Sequence, residues 1–280
     1  MDLNKFTENG NYLMLAFDHR ENFKKYINPK FPDKVTDEET INSIKNIIKS
    51  IKGDFSGILL DEIYSLPAFK DLNINKAFLL PIEKSGFEMS GNEKITVIEK
   101  NAIQIKNIGA SGLKILVYLS PHSNKSDEIL KVVEHSIEDG RKENLPTFLG
   151  VISEDIENTE RVFDSVEFFL KKGVIPDVFA LEFPGSDYLC RKVSNALGSI
   201  PWIVISGGAD YILFKEQLKI AAENYCRGFI VGRSLWQEYF DIAEPERKEH
   251  FLEFTLPLRF KEIKEIMQRS WKYVLGMLME

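Results

Sequence analysis

Eight short apolar runs, separated by amphipathic segments, are the feature that most constrains the fold of this chain. The runs are YLMLAF, FSGILL, AFLLPI, GLKILVYL, PTFLGVI, DVFALEF, IPWIVIS and RGFIVG. The segments between them repeat apolar residues every three or four positions, which is typical of helices that pack on one face. Those predicted as helices are DEETINSIKNIIKSI, EKITVIEKNAIQIKNIG, SDEILKVVEHSIEDGRKE, ENTERVFDSVEFFLKKG and LFKEQLKIAAENY. Because the short runs are continuously apolar, they indicate parallel strands covered on both faces.

Alternating strands and helices of this number predict an α/β protein, a closed (β/α)8 TIM barrel. A doubly wound open sheet is the alternative, but its glycine-rich loop does not follow the first strand. We expect a single domain over residues 1–280, with the barrel at about 11–240 and a helical segment at about 241–280. That last segment carries Trp271, Leu275 and Leu278 in a helical pattern. It would cap its own barrel, the preferred interpretation, or join a second chain.

The composition of the chain limits the classes of partner that it can bind. The chain is 44% hydrophobic, which is enough for a sizeable core, and its net charge is −7 with dispersed basic residues. This argues against binding to nucleic acid or to anionic membranes. The two cysteines do not form a disulfide framework, which favours a reducing compartment. The four histidines are scattered along the chain, so we expect no metal site and no cofactor. We expect a cytoplasmic protein that could form a homo-oligomer.

Charged residues collect at the predicted carboxyl ends of the strands, where barrel enzymes build their active sites. Asp18 follows the first strand, Glu83 and Lys84 follow the third, and Glu182 lies in the sixth. Lys114 begins the fourth strand, and its amine would lie inside the barrel or extend to the rim. A desolvated lysine can act as a nucleophile or a base. The alternatives are a solvated Lys114, a structural cluster of Asp18 with His19 and Arg20 that closes the barrel, and a simple pair between Glu83 and Lys84.

Small residues at the ends of the last two strands indicate a phosphate site. Ser206, Gly207 and Gly208 would let backbone N–H groups approach an anion, and Gly232 is followed by the guanidinium of Arg233. A phosphate site after strands seven and eight recurs in this fold. The alternative is that the glycines form tight turns and Arg233 pairs with a surface acid.

Seven ordered motifs resemble one enzyme family from about residue 11 to 240. They are LAFDHR, GILLDEIY, LLPIEKSGF, ASGLKILVYLSP, PDVFALEFPG, ISGG and GFIVGRSLW. Together they resemble the class I aldolases of the tagatose-bisphosphate aldolase group and the related aldolase-like domain found with inositol-catabolism enzymes. The resemblance implies a barrel that binds a phosphorylated sugar or dihydroxyacetone phosphate. It also implies carbon–carbon cleavage through a Schiff base, without a metal.

The resemblance also implies that a catalytic residue is missing. In that family the sixth strand carries the Schiff-base lysine at the position of Ala180, and a proton-handling glutamate takes the position of Gly150. Alternation along the strand places Ala180 on the same face as Glu182, inside the barrel. Glu182, Lys114, Asp18 and the phosphate residues match the family.

Three interpretations follow from Ala180. In the first, the position was altered deliberately to trap a substrate. In the second, Lys114 or Lys84 forms the imine instead, or Glu182 and Asp18 transfer protons alone, as in an isomerase. In the third, the barrel binds a sugar phosphate without catalysing a reaction. We expect an aldolase-type lyase acting on a phosphorylated keto-sugar, with Lys114 as the remaining amine. The alternative is a non-catalytic sugar-phosphate-binding or regulatory protein.

Overall fold

Eight parallel strands close into a barrel, which confirms the predicted (β/α)8 fold. The computed structural model describes the backbone of residues 1–277 and the side chains of residues 1–269. The strands are β1 (Tyr12–Phe17), β2 (Gly57–Leu60), β3 (Ala77–Pro81), β4 (Glu88–Ser90), β5 (Glu93–Ile95), β6 (Gly112–Leu119), β7 (Thr147–Ser153), β8 (Val178–Leu181), β9 (Trp202–Ile205) and β10 (Gly228–Val231). The barrel closes in the order β1-β10-β9-β8-β7-β6-β3-β2, and β4 and β5 form a separate antiparallel hairpin.

Helices cover the outside of the barrel. They are α1 (Lys24–Ile27), α2 (Asp37–Ser50), α3 (Ser65–Asp71), α4 (Ala102–Ile108), α5 (Ser126–Lys142), α6 (Arg161–Lys171), α7 (Asp187–Leu197), α8 (Tyr211–Glu223), α9 (Arg233–Trp236), α10 (Pro245–His250) and α11 (Leu256–Met277). The start of α2 shows how the sequence defines such a helix: the Thr36 side chain accepts a hydrogen bond from the N–H of Glu39. The helix then buries Ile44, Ile47 and Ile48 against the barrel.

One predicted helix is wrong in its first half. The segment from Glu93 to Gly109 begins with strand β5 of the hairpin, and helix α4 begins only at Ala102. The β-branched run from Ile95 to Ile98 favours extended backbone over helix. Asn101 then starts the helix, because its side chain accepts from the N–H of Gln104 and the Gln104 side chain accepts from the N–H of Asn101. The amphipathic spacing was therefore correct for only part of this segment.

The barrel interior is filled by apolar side chains, which we call the inner layer. It contains Phe6, Tyr12, Met14, Leu59, Leu79, Phe148, Val178, Ala180, Ile203 and Ile230. Phe6 closes the amino-terminal end, where its ring packs edge-on against Phe148 with centroids 5.1 Å apart. Because the interior is packed rather than hollow, space for a ligand remains at the carboxyl ends of the strands.

Helix α11 packs on the outside of its own barrel. Its Phe260 ring lies 5.9 Å from that of Phe229 in β10, and the Tyr211 hydroxyl of α8 donates to the carbonyl of Arg259 at 3.1 Å. Lys264 forms an ion pair with Glu8 at 2.9 Å. The three residues for which capping or dimerisation was considered, Trp271, Leu275 and Leu278, lie outside the described side chains. Within the part of the chain that the structure describes, no helix combines the length and apolar character needed to span a membrane.

Candidate active site

A cavity of about 330 Å³ opens at the carboxyl ends of β1, β3, β6 and β10, and we call it the mouth cavity. Its lining includes both polar groups predicted from the strand ends and residues that were not predicted. The predicted ones are Asp18, Glu83, Lys84, Lys114 and Arg233. The lining also includes His19 and Arg20 of the FDHR motif, and three residues that the sequence did not indicate, Asn22, Lys25 and Tyr26, from the segment between β1 and α2.

Lys114 lies at the level of this mouth although it is only the third residue of β6. The reason is the stagger of the barrel, since Lys114 pairs in register with Pro81, the last residue of β3. Leu116, two residues further on, also lines the cavity, so this face of β6 points inward. Lys114 is 8% exposed. The amine is therefore inside the barrel rather than solvated at its rim.

The Lys114 amine is held between two carboxylates. Its Nζ lies 2.5 Å from Oε1 of Glu83 and 3.1 Å from Oδ2 of Asp18. These three residues, which we call the Lys114 cluster, come from three different parts of the barrel: Asp18 follows β1, Glu83 follows β3, and Lys114 lies within β6. A buried amine with two acidic partners is a charge-assisted arrangement with a net charge of −1 when all three groups are ionised.

The pKa values of the cluster follow from burial and from these contacts. Burial alone would lower the pKa of Lys114, but the carboxylates of Glu83 and Asp18 outweigh it and hold the pKa above its usual value. Burial would raise the pKa of Asp18, and the neighbouring Lys114 ammonium brings it below its usual value instead. For Glu83, burial raises the pKa and Lys114 offsets this only in part. Glu83 is therefore the carboxyl of the cluster that takes up a proton most readily.

Arg20 fixes the main chain that carries Glu83. One guanidinium N–H donates to the Glu83 carbonyl at 2.7 Å, and the other end of the group lies 3.5 Å from Glu99. Arg20 does this from left-handed backbone at φ +50°, a conformation that costs free energy for a non-glycine residue. Lys84 turns away and lies 3.4 Å from Glu88, so Glu83 and Lys84 do not form the pair that was considered.

Arg233 also lines the mouth cavity, and its guanidinium contacts the glycine turn. One Nη of Arg233 donates to the Gly207 carbonyl at 3.1 Å, and the other lies 3.3 Å from the Tyr26 hydroxyl. A Cβ added at Gly208 would come within 2.8 Å of the Arg233 guanidinium carbon, so this glycine makes room for the guanidinium. Among the described residues no carboxylate lies within 4 Å of Arg233, so the surface ion pair considered as an alternative does not form.

The other residues of the predicted phosphate site lie beside this turn. Ser206 is 9% exposed at the end of β9, and its carbonyl accepts from the N–H of Ala209. A Cβ at Gly232 would lie 2.8 Å from the Ala16 carbonyl oxygen, so only glycine fits between β1 and β10 there. Glycine at this position lets Arg233 follow β10 directly into the mouth.

From the sequence, His19 enters only as part of a cluster with Asp18 and Arg20, and not as a separate candidate. Its ring packs edge-on against Trp236 at 5.3 Å and against Tyr26 at 6.5 Å. Burial lowers its pKa to about 4, because the nearby Asp18 compensates only partly and Arg233 and Lys114 lower it further. The imidazole is therefore neutral at pH 7, and its Nδ1 is buried without a hydrogen-bond partner in the described structure. Its position next to Asp18 in the FDHR motif was the available signal.

Ala180 and Glu182 do not line the mouth cavity with Lys114. Ala180 is 2% exposed within the inner layer, directly between Gly150 of β7 and Ile203 of β9 in register. The inward direction predicted for Ala180 is therefore correct. Glu182 leaves the end of β8 and accepts from the N–H of Ser153 at 2.9 Å, with Arg161 at 4.0 Å. Glu182 thus has partners of its own outside the Lys114 cluster.

The space beside Gly150, which pairs in register with Ala180, is closed by Leu116. A Cβ added at Gly150 would meet Cδ1 of Leu116 at 2.6 Å, so a larger side chain at Gly150 would require Leu116 to move. The floor of the mouth is thus apolar, whereas its walls carry the charged groups. Among the residues that the structure describes, no three His, Cys, Asp or Glu side chains are grouped so that they could hold a metal ion.

Comparisons with known proteins place this architecture in a family. The family model described as "DeoC/LacD family aldolase" matches residues 12–238. Tagatose 1,6-diphosphate aldolase of Streptococcus agalactiae is 27% identical, over 95% of this chain and 94% of the relative. The corresponding protein of Staphylococcus epidermidis is 24% identical, over 92% of each chain.

Solved structures agree on the fold. An archaeal fructose-1,6-bisphosphate aldolase, described with its catalytic lysine covalently bound to a carbinolamine intermediate, has a TM-score of 0.67 at 17% identity. The match covers 93% of this chain and 97% of the archaeal chain. Cgl0159 from Corynebacterium glutamicum has a TM-score of 0.67 at 14% identity, with coverages of 95% and 88%. Together with the family model, which spans every strand of the barrel, these findings identify the chain as a member of the DeoC/LacD aldolase family.

Proposed function

We propose that the protein is an aldolase-type carbon–carbon lyase acting on a phosphorylated keto-sugar bound in the mouth cavity. The observation that carries the proposal is that the Lys114 amine and the Arg233 guanidinium line the same cavity in a member of an aldolase family. A volume of about 330 Å³ is in the range of small-ligand sites. The tagatose-phosphate and fructose-phosphate aldolases found by comparison support the ligand class.

Charge orients the ligand in this proposal. Its phosphate takes the end of the cavity with Arg233 and the turn from Ser206 to Gly208, where a guanidinium can bind phosphate oxygens through two N–H groups. Its carbonyl takes the other end, beside Lys114. A phosphate at that other end would face the carboxylates of Asp18 and Glu83, so the reverse orientation is repulsive.

Lys114 is the amine that engages the carbonyl. As an ammonium it would polarise the carbonyl oxygen, and after losing a proton it would attack the carbonyl carbon to give a carbinolamine, from which the former carbonyl oxygen leaves as water to form the imine. Glu83 is the proton acceptor for that step, because its Oε1 lies 2.5 Å from Nζ and burial raises its pKa. The carboxylates that stabilise the ammonium would stabilise a cationic imine in the same way.

Borohydride trapping tests this proposal. The protein is incubated with dihydroxyacetone phosphate, reduced with borohydride, and analysed by intact mass spectrometry and peptide mapping. We expect one adduct on Lys114, because reduction converts a transient imine into a stable amine. Lys114→Met should lose the adduct, whereas Lys84→Met and the surface variant Lys106→Met should keep it. An adduct that maps to Lys84 would contradict the assignment to Lys114.

A second candidate function is a sugar-phosphate binder without turnover. It is favoured by Ala180, because an alanine in the inner layer supplies no amine at the position that the family resemblance assigns to the Schiff-base lysine. Binding of dihydroxyacetone phosphate by calorimetry, with no trapped adduct and no cleavage of ketose bisphosphates, would favour this function over the lyase.

The glycine turn provides a test of the phosphate end. Gly208→Ala would place a Cβ 2.8 Å from the Arg233 guanidinium, at φ +86°, and should displace that group. We expect affinity for dihydroxyacetone phosphate to fall about 10- to 100-fold, the loss typical of one charged hydrogen-bonded contact. Gly207→Ala is the matched control, because it has a similar backbone strain at φ +59° but meets no atom within 4 Å. Equal losses in both variants, measured by calorimetry, would mean that strain rather than Arg233 is responsible.

A further inference from the structure

A second cavity, of about 790 Å³, lies at the amino-terminal ends of β1, β9 and β10, and we call it the lower cavity. The packed inner layer separates it from the mouth cavity. Its volume is within the range of small-ligand sites. The lining residues on which the inference depends are Gly10, Tyr12, Asn195, Ser199, Tyr225 and Arg227.

Arg227 makes the lower cavity a site for an anion. Among the described residues that line it, Arg227 is the only charged side chain, and none is a carboxylate. Its N–H donates to the Trp202 carbonyl and its carbonyl accepts from the N–H of Tyr12, both at 2.8 Å, so its main chain is tied between β9 and β1. A Cβ at Gly10 would lie 3.7 Å from one Nη, which places the guanidinium beside that turn. A guanidinium in an acid-free cavity suits a phosphate or a carboxylate.

The Tyr12 hydroxyl adds a hydrogen-bond donor near this guanidinium. Burial raises the pKa of Tyr12 to about 12, and the charge of Arg227 partly offsets this, so the two groups are close and the phenol is protonated at pH 7. Asp177 acts on the same hydroxyl with a negative charge, but it does not line the cavity and it accepts from the N–H of Thr147 at 2.8 Å. One end of the lower cavity thus presents a guanidinium and a phenol.

Tyr225 brings an aromatic ring to the same cavity from a strained backbone. It is 50% exposed and has φ +66°. It directly follows Asn224, the residue that caps α8, at a position where helices usually end in a glycine. The N–H of Cys226 donates to the Ala221 carbonyl at 3.1 Å, which is the hydrogen bond of that helix ending. A bulky residue at positive φ costs free energy, and such residues concentrate at functional sites. Stacking on a ligand explains why tyrosine stands here instead of glycine.

We propose that the lower cavity binds a nucleoside monophosphate, with its base stacked on Tyr225 and its phosphate bound by Arg227 and Tyr12. Tyr225 and Arg227 are separated by one residue, so their Cα atoms lie at most about 7 Å apart, a spacing that a ribose between base and phosphate spans. One cation matches one phosphate rather than a chain of three. Asn195 and Ser199 offer an amide and a hydroxyl to the edge of the base. The inference is independent of the proposed function, because no residue of the mouth takes part in it.

Calorimetry of the full chain with adenosine monophosphate tests the inference. We expect one binding site, with adenosine and inorganic phosphate each binding at least about 10-fold more weakly, because each lacks one of the two contacts. Arg227→Gln should weaken binding about 10- to 100-fold. Arg191→Gln is the matched control, because it removes an exposed guanidinium that pairs with Asp187 outside the cavity, and it should leave binding unchanged.

Tyr225→Gly separates binding from folding. Glycine relieves the left-handed backbone, so the melting temperature should not fall. Loss of the ring should weaken binding of adenosine monophosphate about 5- to 100-fold, the range of one base–aromatic stack. This variant also keeps the test decisive if Arg227→Gln does not fold. Unchanged affinity in Tyr225→Gly would reject the stacked base.

The phosphate site of the mouth provides the opposing outcome. Loss of binding in Arg233→Gln, with binding retained in Arg227→Gln, would place the nucleotide in the mouth and overturn the inference. No binding at millimolar concentration, or binding no tighter than that of inorganic phosphate, would overturn it as well. Failure of dihydroxyacetone phosphate to bind would overturn the ligand class of the proposed function and leave this inference intact.

Discussion

Replacing Lys114 with methionine is expected to abolish cleavage and to lower the free energy of unfolding by about 3–5 kcal/mol at pH 7. The reason is that Lys114 is the buried cation between the buried carboxyl of Glu83, at 2.5 Å, and the half-buried carboxyl of Asp18, at 3.1 Å. Methionine lacks the terminal amine but keeps an unbranched apolar stem of similar length up to that group, so the loss reports on charge rather than on packing. Urea unfolding of both proteins measures the difference. Lys106→Met, which removes only an exposed ion pair with Glu143, should change stability by less than about 0.5 kcal/mol.

The pH dependence of this difference identifies its cause. Without Lys114, burial raises the pKa values of Glu83 and Asp18 in the folded state above those of the unfolded chain. A raised folded-state pKa contributes stability at low pH that is lost as the pH rises, so the variant should gain stability as the pH falls from 7 to about 5. In the natural protein the lowered pKa of Asp18 has the opposite effect. It contributes stability at pH values above the pKa of Asp18 in the unfolded chain, and this stability is lost as the pH falls. The difference in the free energy of unfolding between the two proteins should therefore decrease on acidification. A difference that is independent of pH would show that lost packing, not unpaired carboxyls, destabilises the variant.

The fold could be predicted from the sequence because its main signals are local. Each of the eight apolar runs became a strand of the barrel, since continuous apolar character and flanking turns are encoded within a few residues. The error in the segment from Glu93 to Gly109 arose where two local signals competed. Its apolar spacing fits a helix, but the β-branched residues from Ile95 to Ile98 and the capping residue Asn101 restrict the helix to its second half.

The site was less predictable because its contacts depend on the stagger of the barrel. Asp18, Glu83 and Lys114 could each be identified as candidates, but the sequence also allowed a local pair between Glu83 and Lys84. Only the register of Pro81 with Lys114 brings the amine to Glu83. For Glu182, in contrast, the direction of the side chain depends on where its own strand ends. Its position in β8 predicted an inward side chain, but the strand ends at Leu181, so alternation no longer sets the direction of the next residue.

The burial and the lowered pKa of His19 could not be derived from sequence spacing either. Its burial depends on rings from distant parts of the chain, Trp236 and Tyr26 among them, and its lowered pKa depends on that burial. A histidine in a polar FDHR motif looks solvated until the elements around it are known. The chemistry of the mouth is thus encoded in residue identities, whereas the pairing of those residues is a property of the closed barrel.

Introducing a lysine at Ala180 is expected to create a second amine that forms an imine, and with it a gain in cleavage. Ala180 points into the inner layer below the mouth, between Gly150 and Ile203, and the four methylenes of a lysine would extend from there toward the cavity floor at Leu116. Burial in this apolar setting would lower the pKa of the new amine, so that a larger fraction is the neutral nucleophile at pH 7. We expect a borohydride adduct at position 180 with dihydroxyacetone phosphate, and faster cleavage of ketose bisphosphates.

Ala180→Met is the matched control for this gain. Both substitutions insert a long side chain into a packed layer in which Ala180 is 2% exposed, and each should cost about 1–3 kcal/mol of stability from overpacking. Only the lysine variant should give the adduct and the faster cleavage, because only it has an amine. If the lysine variant folds and binds the ligand but gives no adduct, the ligand carbonyl does not lie above β8. Carbonyl chemistry would then be confined to the Lys114 side of the mouth, and the position assigned to the Schiff-base lysine by resemblance would have no catalytic meaning in this chain.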